Sequence, residues 1–155
     1  GVFTASELPV AVISLVVMGA VMLVRDNLRA LLVMHGVILA GFLVLGGSTL
    51  AFQAHMLAPL TWMILTGAGL YMAYTPFNAM LFDRMIAATG KVGTAGFLIY
   101  VADSFGYVGS ISLLLVKSFG HFDIAWGQFL AIGAYVACGL GLVGLFFANR
   151  LLAKP

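Results

Sequence analysis

The feature that most constrains this chain is where its charges fall: Glu7, then Arg25, Asp26 and Arg29, then Asp83, Arg84 and Lys91, then Lys117 and Asp123, and finally Arg150 and Lys154. Between these groups the sequence is apolar and almost uncharged. A bilayer core is about 30 Å thick and an α-helix rises about 1.5 Å per residue, so one crossing takes roughly 20 apolar residues. Five stretches meet that length, at residues 8–24, 31–52, 57–81, 93–116 and 126–147. With 63% hydrophobic and 8% charged residues, too little polar surface remains to solvate a globular domain in water. The expectation is an all-α polytopic membrane protein, one helical domain over residues 1–155 with about five transmembrane helices.

Orientation follows from the basic residues, which concentrate on the cytoplasmic side of membrane proteins while acidic residues contribute little. If Arg25 and Arg29 lie inside, alternation places Arg84, Lys91, Arg150 and Lys154 inside as well and leaves Lys117 alone outside. The amino end is therefore expected outside and the carboxyl end in the cytoplasm. Trp126, Phe119 and Phe122 suit an aromatic anchor at the outer interface. The net charge of +2 is then a matter of topology and implies no nucleic acid. The first residues lack the basic region of a signal peptide and there is no initiator Met. An odd number of crossings adds to the expectation of a piece of a larger polytopic protein. Cys138 is the single cysteine and lies in an apolar run, where a small packed side chain is the expected role.

Polar side chains are unevenly spread among the spans. In the third, Tyr71, Tyr74, Thr75 and Asn78 recur at i, i+3, i+4 and i+7 and so share one helical stripe. The fourth repeats the device with Tyr100, Asp103, Ser104, Tyr107 and Ser110. The other three are poorer, with Ser14 in the first, His35, Ser48 and Thr49 in the second, and Gln128 and Tyr135 in the fifth. Spans three and four are expected to line a cavity and the others to face lipid. Hydrogen bonding between packed helices is the plainer account of each tyrosine or serine taken alone. Asp103 demands more, because an ionised carboxylate near the middle of a span costs about 2.5 to 3.5 kcal/mol to insert. It must be protonated, wetted by a cavity or paired with another helix, and an intramembrane acid marks a coupling or binding site by default.

Pro76, deep in the third span, removes a backbone donor and crowds the preceding turn, which predicts a helix kink near Ala73 and Tyr74. Gly106 and Gly109, and Gly139, Gly141 and Gly144, permit close helix approach. His35, His55 and His121 fall at different depths and show no metal-ligand spacing, so no metal or other cofactor is expected. Phosphate loops, nucleophile elbows and zinc-protease motifs are lacking too, so an enzyme is not expected.

The arrangement resembles the major facilitator superfamily (MFS) of secondary transporters. The turn Arg25-Asp26-Asn27-Leu28-Arg29 looks like a degenerate form of that family's charged cytoplasmic turn between the eighth and ninth helices, without its glycines and longer basic run. Asp83-Arg84 followed by Gly90-Lys91-Val92-Gly93-Thr94-Ala95-Gly96 is similar to the loop leading into the eleventh. The whole chain would correspond to the last five helices of the carboxyl-terminal half of a twelve-helix transporter. The resemblance implies transport of a small solute by alternating access, with protons as a candidate coupling ion, in a bacterial plasma membrane. It also implies a cavity wall built from Asp103, Tyr100, Ser104, Tyr107, Tyr71, Tyr74, Thr75 and Asn78, facing a missing amino-terminal half. Arg25, Asp26, Arg29, Asp83, Arg84 and Lys91 would be cytoplasmic gate or topogenic charges. A non-transporting membrane scaffold or assembly subunit is the alternative from another class.

Overall fold

A computed structural model describes residues 2–120 and 124–152 of the chain. Every element is helical: α1 (Val2–Met22), α2 (Asn27–Gln53), α3 (Pro59–Pro76), a π-helical turn (Phe77–Leu81), α4 (Phe82–Thr89), α5 (Ala95–Phe119) and α6 (Trp126–Leu152). From Pro59 to Thr89 the helical backbone is continuous, so the chain folds as five rods. Among the described residues four stretches are long and apolar enough to cross a bilayer: Ala5–Met22, Asn27–Gln53, Ala95–Phe119 and Trp126–Leu151. The protein is therefore an integral membrane protein with four candidate transmembrane helices. The expected third span is the rod that changes helical type partway along. His121, Phe122, Asp123 and Lys154 lie outside the described residues.

Helix ends follow local chemistry. Asp26 caps α2 by accepting a hydrogen bond from the Arg29 amide at 2.8 Å, so the turn between α1 and α2 ends on an N-cap. Proline at the start of α3 gives up no helical hydrogen bond. At the far end of α2, His55 takes a left-handed conformation with φ 57°, and the Met56 amide reaches back to the Ala51 carbonyl at 2.9 Å. Gly90 ends α4 in the same way with φ 64°, a conformation open to glycine at no steric cost.

Packing centres on α2, which touches α1, α3, α4 and α6. Its Leu31, Met34, Ile38, Leu45 and Thr49 are fully buried. This corrects the expectation that the second span faces lipid. The reason lies in its small residues: Gly41 of α2 and Gly69 of α3 meet so closely that a Cβ added to either would lie 2.7 Å from the other's carbonyl oxygen. Without a hydrophobic driving force in lipid, such close backbone approach supplies the dispersion contact that holds helices together. A few polar bonds reinforce it, with Trp62 Nε1 donating to Thr49 Oγ1 at 3.3 Å and Thr49 donating to the Leu45 carbonyl at 2.8 Å.

α6 lies against the other side of α2, where His35 Nδ1 sits 2.8 Å from Asn149 Oδ1 and Cys138 Sγ lies 3.3 Å from the Phe42 carbonyl. Cys138 is half-buried, packed as a small core side chain is. α5 is the outlier, since none of its residues is buried and its main neighbour is α4. Where α5 ends, Lys117 donates to the Ile124 carbonyl and its ammonium stands 5.5 Å from the Trp126 ring centre. A cation beside an indole at a helix end is the arrangement of a snorkelling interfacial anchor.

Candidate functional site

The two polar stripes meet at one point. The Tyr74 hydroxyl of α3 donates to Asp103 Oδ1 of α5 across 3.1 Å. Asp103 is the ninth residue of the 25 in α5 and is half-buried, in a helix with no fully buried residue. A phenol donating to a carboxylate answers part of the demand that an acid in a span makes for a partner. The adjacent Ser104 Oγ donates to the Tyr100 carbonyl at 2.7 Å, a back-bond within its own helix that leaves no donor directed outward.

The other expected site residues are spread around this pair. Thr75 is half-buried, while Asn78 is exposed within the π-helical turn. Tyr100 and Tyr107 stand out from α5 at 75% and 69% exposure, an uncovered face rather than an enclosed wall. Tyr71 lines an open groove of about 230 Å³ between α1 and α3, which it shares with Glu7, Val10, Met63 and Gly67. Pro76 is buried, and the rod leaves α-helical geometry just after it, at Phe77–Leu81, rather than at Ala73 and Tyr74. A π-helical turn widens the helix locally, and such turns recur at functional sites.

The charges expected at the cytoplasmic end make these connections. Arg84 donates to the Arg25 carbonyl at 3.3 Å and to Asn27 Oδ1 at 2.7 Å, tying α4 to the start of α2. Asp26 is spent on the α2 cap, and Asp83 is exposed in the first turn of α4. Lys91 is exposed in the link to α5 and Arg29 on the first turn of α2.

Three of these placements were not read from the sequence. Asn27 is the acceptor for Arg84, and nothing in hydropathy marks it. The His35 and Asn149 pair joins residues 114 apart, beyond the reach of any local pattern. Glu7 could have been found, because Glu7, Ala11 and Ser14 recur at i, i+4 and i+7 on the face that meets α3. Among the described residues no three His, Cys, Asp or Glu side chains gather as a metal-binding set. His35 pairs with Asn149 and Tyr74 with Asp103, so these polar groups form two pairs rather than one catalytic cluster.

Compared with known proteins, residues 1–154 match a family described as a family of unknown function (DUF5690). No curated protein matches the chain, and no solved structure does.

Proposed function

The chain belongs to DUF5690, and we propose from its own residues that it carries a small solute across the membrane by secondary active transport with alternating access. In this reading it forms the carboxyl-terminal half of an MFS-type bundle, with its amino end outside, its carboxyl end in the cytoplasm and protons as the candidate coupling ion. The observation that carries the proposal is the hydrogen bond from Tyr74 to Asp103, an acid within an apolar helix engaged by a neighbouring span. Two features support it. The rod bearing Tyr74 contains a π-helical turn after Pro76, a place where it can bend. The helix bearing Asp103 is loosely held, touching mainly α4, as a helix needs to be when it moves against a fixed core. The remaining wall of the cavity would come from the amino-terminal half, covering the bare face of Tyr100 and Tyr107.

Solute uptake by the intact protein in liposomes under an imposed pH gradient, with Asp103 and with Asp103→Asn, tests this. The expected result is uptake that falls at least tenfold in the Asn variant, roughly the loss of one charge-assisted hydrogen bond, with insertion and thermal stability retained. Equal uptake in both proteins would remove Asp103 from the mechanism. The alternative reading, a non-transporting scaffold or assembly subunit, draws on the uncovered α5 face and its Gly106 and Gly109. It requires no uptake by either protein across a broad panel of solutes.

A further inference from the structure

A cleft of about 390 Å³ lies between α6 and the rod that carries the π-helical turn and α4, with α2 as its floor. It shares no residue with the Tyr74 and Asp103 pair, and its size falls within the roughly 300 to 1,000 Å³ of small-molecule sites. The floor is one face of α2, with His35, Ile38 and Phe42 at i, i+3 and i+7. One wall carries Phe77 and Leu81, the two ends of the π-helical turn, followed by Phe82 and Met85. Ile38 and Leu81 belong to the buried core, which fixes floor and wall before anything enters. The opposite wall includes Gly141 and Gly144 of α6. A Cβ on Gly141 would collide with the Phe42 ring, whereas one on Gly144 would meet nothing within 4 Å. Gly141 therefore seats α6 on α2, and Gly144 leaves the space open.

His35 supplies the one polar side chain of this lining, and it is 9% exposed. Its Nδ1 lies 2.8 Å from Asn149 Oδ1, an amide oxygen that can only accept, so Nδ1 carries the hydrogen and Nε2 keeps a free lone pair. Among the described residues nothing donates to Nε2. Asn149 borders a neighbouring cleft on α2 and not this one, so the amide meets the imidazole from the other side. An acceptor left bare among apolar side chains costs free energy that a donor in the cleft recovers. The aromatic lining narrows the class further. The Phe77 and Phe82 rings stand 5.9 Å apart with planes at 59°, and with Phe42 and the Met85 thioether they offer both faces and edges to a flat ring. A charged group would be stripped of water against these rings, whereas a single hydroxyl finds its acceptor in His35.

We propose that this cleft binds a lipid-soluble phenol, with its ring among Phe42, Phe77 and Phe82 and its hydroxyl donating to His35 Nε2. Such a ligand bridges the π-helical turn to α2, and the site stands independently of the transport reading. The test is titration of naphthol into the intact protein in nanodiscs, with its histidine rings labelled with nitrogen-15 and followed by NMR. The His35 signals are assigned by elimination with His55→Gln and His121→Gln. Methoxynaphthalene keeps the rings and lacks the donor, while decahydronaphthol keeps the hydroxyl and lacks the aromatic faces. In the free protein Nε2 is expected at the position of a bare ring nitrogen, moving saturably toward the N–H position as naphthol binds. Methoxynaphthalene should leave it unmoved, and decahydronaphthol should bind about tenfold more weakly. Gly144→Leu, which fills the open space, should weaken naphthol by about tenfold or more while keeping the thermal midpoint. Nε2 already bearing hydrogen in the free protein, an equal response to methoxynaphthalene, or unchanged affinity in a folded Gly144→Leu protein overturns the proposal. So does unsaturable movement of all three histidines together, which is partition into lipid only. The comparison of the three probes needs no variant of the cleft, so it decides the matter even where Gly144→Leu fails to fold.

Discussion

Gly69→Val is expected to leave little folded protein after extraction into detergent. A Cβ on Gly69 would stand 2.7 Å from the Gly41 carbonyl oxygen and 2.9 Å from the Leu45 amide nitrogen. Both are backbone atoms of α2, so no side chain can rotate aside. The helices must separate instead, and with them goes the widest contact in the bundle, between α2 and α3. Overpacking costs about 1 to 3 kcal/mol where side chains can adjust, and a backbone obstruction belongs at or above the top of that range. Water does not drive the helices back together inside a bilayer, so nothing offsets the lost dispersion contact. Gly47→Val is the control, since Gly47 lies on α2, the helix that Gly69 abuts, with nothing within 4 Å of an added Cβ. Size-exclusion profiles and thermal midpoints of the two variants decide the matter. Equal midpoints would show that the Gly41 and Gly69 crossing contributes nothing particular to stability.

Trp62→Ala is the second large effect. Trp62 is 7% exposed, stacks on Phe52 with ring centres 4.2 Å apart and planes 4° from parallel, and donates to Thr49. Truncating a buried Trp to Ala costs about 3 to 5 kcal/mol in water-soluble cores. In lipid the transfer part of that cost shrinks, because acyl chains are as apolar as the site. The expected loss is therefore about 3 kcal/mol, mostly cavity and lost stacking. Trp62→Phe keeps most of the stack and gives up the hydrogen bond, for about 1 kcal/mol. Unfolding by denaturing detergent in mixed micelles measures both, and similar losses for Ala and Phe would assign the effect to the hydrogen bond alone.

The membrane-spanning character of the fold was legible because hydrocarbon thickness sets a length that apolar runs must meet. The ends were less so. The stretch expected at 8–24 is helical from Val2 to Met22, and that expected at 126–147 continues to Leu152. A helix does not stop where its hydropathy falls, only where its backbone finds a cap. Asp26 and Gly90 supply such caps through single side-chain or backbone bonds that a hydropathy window averages away. The central place of α2 was hidden because small residues guide packing without standing out in composition. Within the candidate site, each stripe could be read from its 3.6-residue period. Which tyrosine reaches Asp103 could not, since Tyr74 and Asp103 are 29 residues apart on different rods. Pro76 announced a disturbance, and whether it resolved as a bend or as a widened turn depended on tertiary packing around Phe77 to Leu81.

That widened turn makes chain length part of the geometry. A π-helical turn amounts to one residue added to an α-helix, which turns everything after it by about 100° and advances it by about 1.5 Å. Arg84 reaches Asn27 and the Arg25 carbonyl from the orientation this extra residue gives it. The trace of this device in evolution is therefore a gap rather than a substitution. Relatives that keep the latch from Arg84 should preserve the spacing between Pro76 and Arg84, and those that have lost the turn should be one residue shorter there.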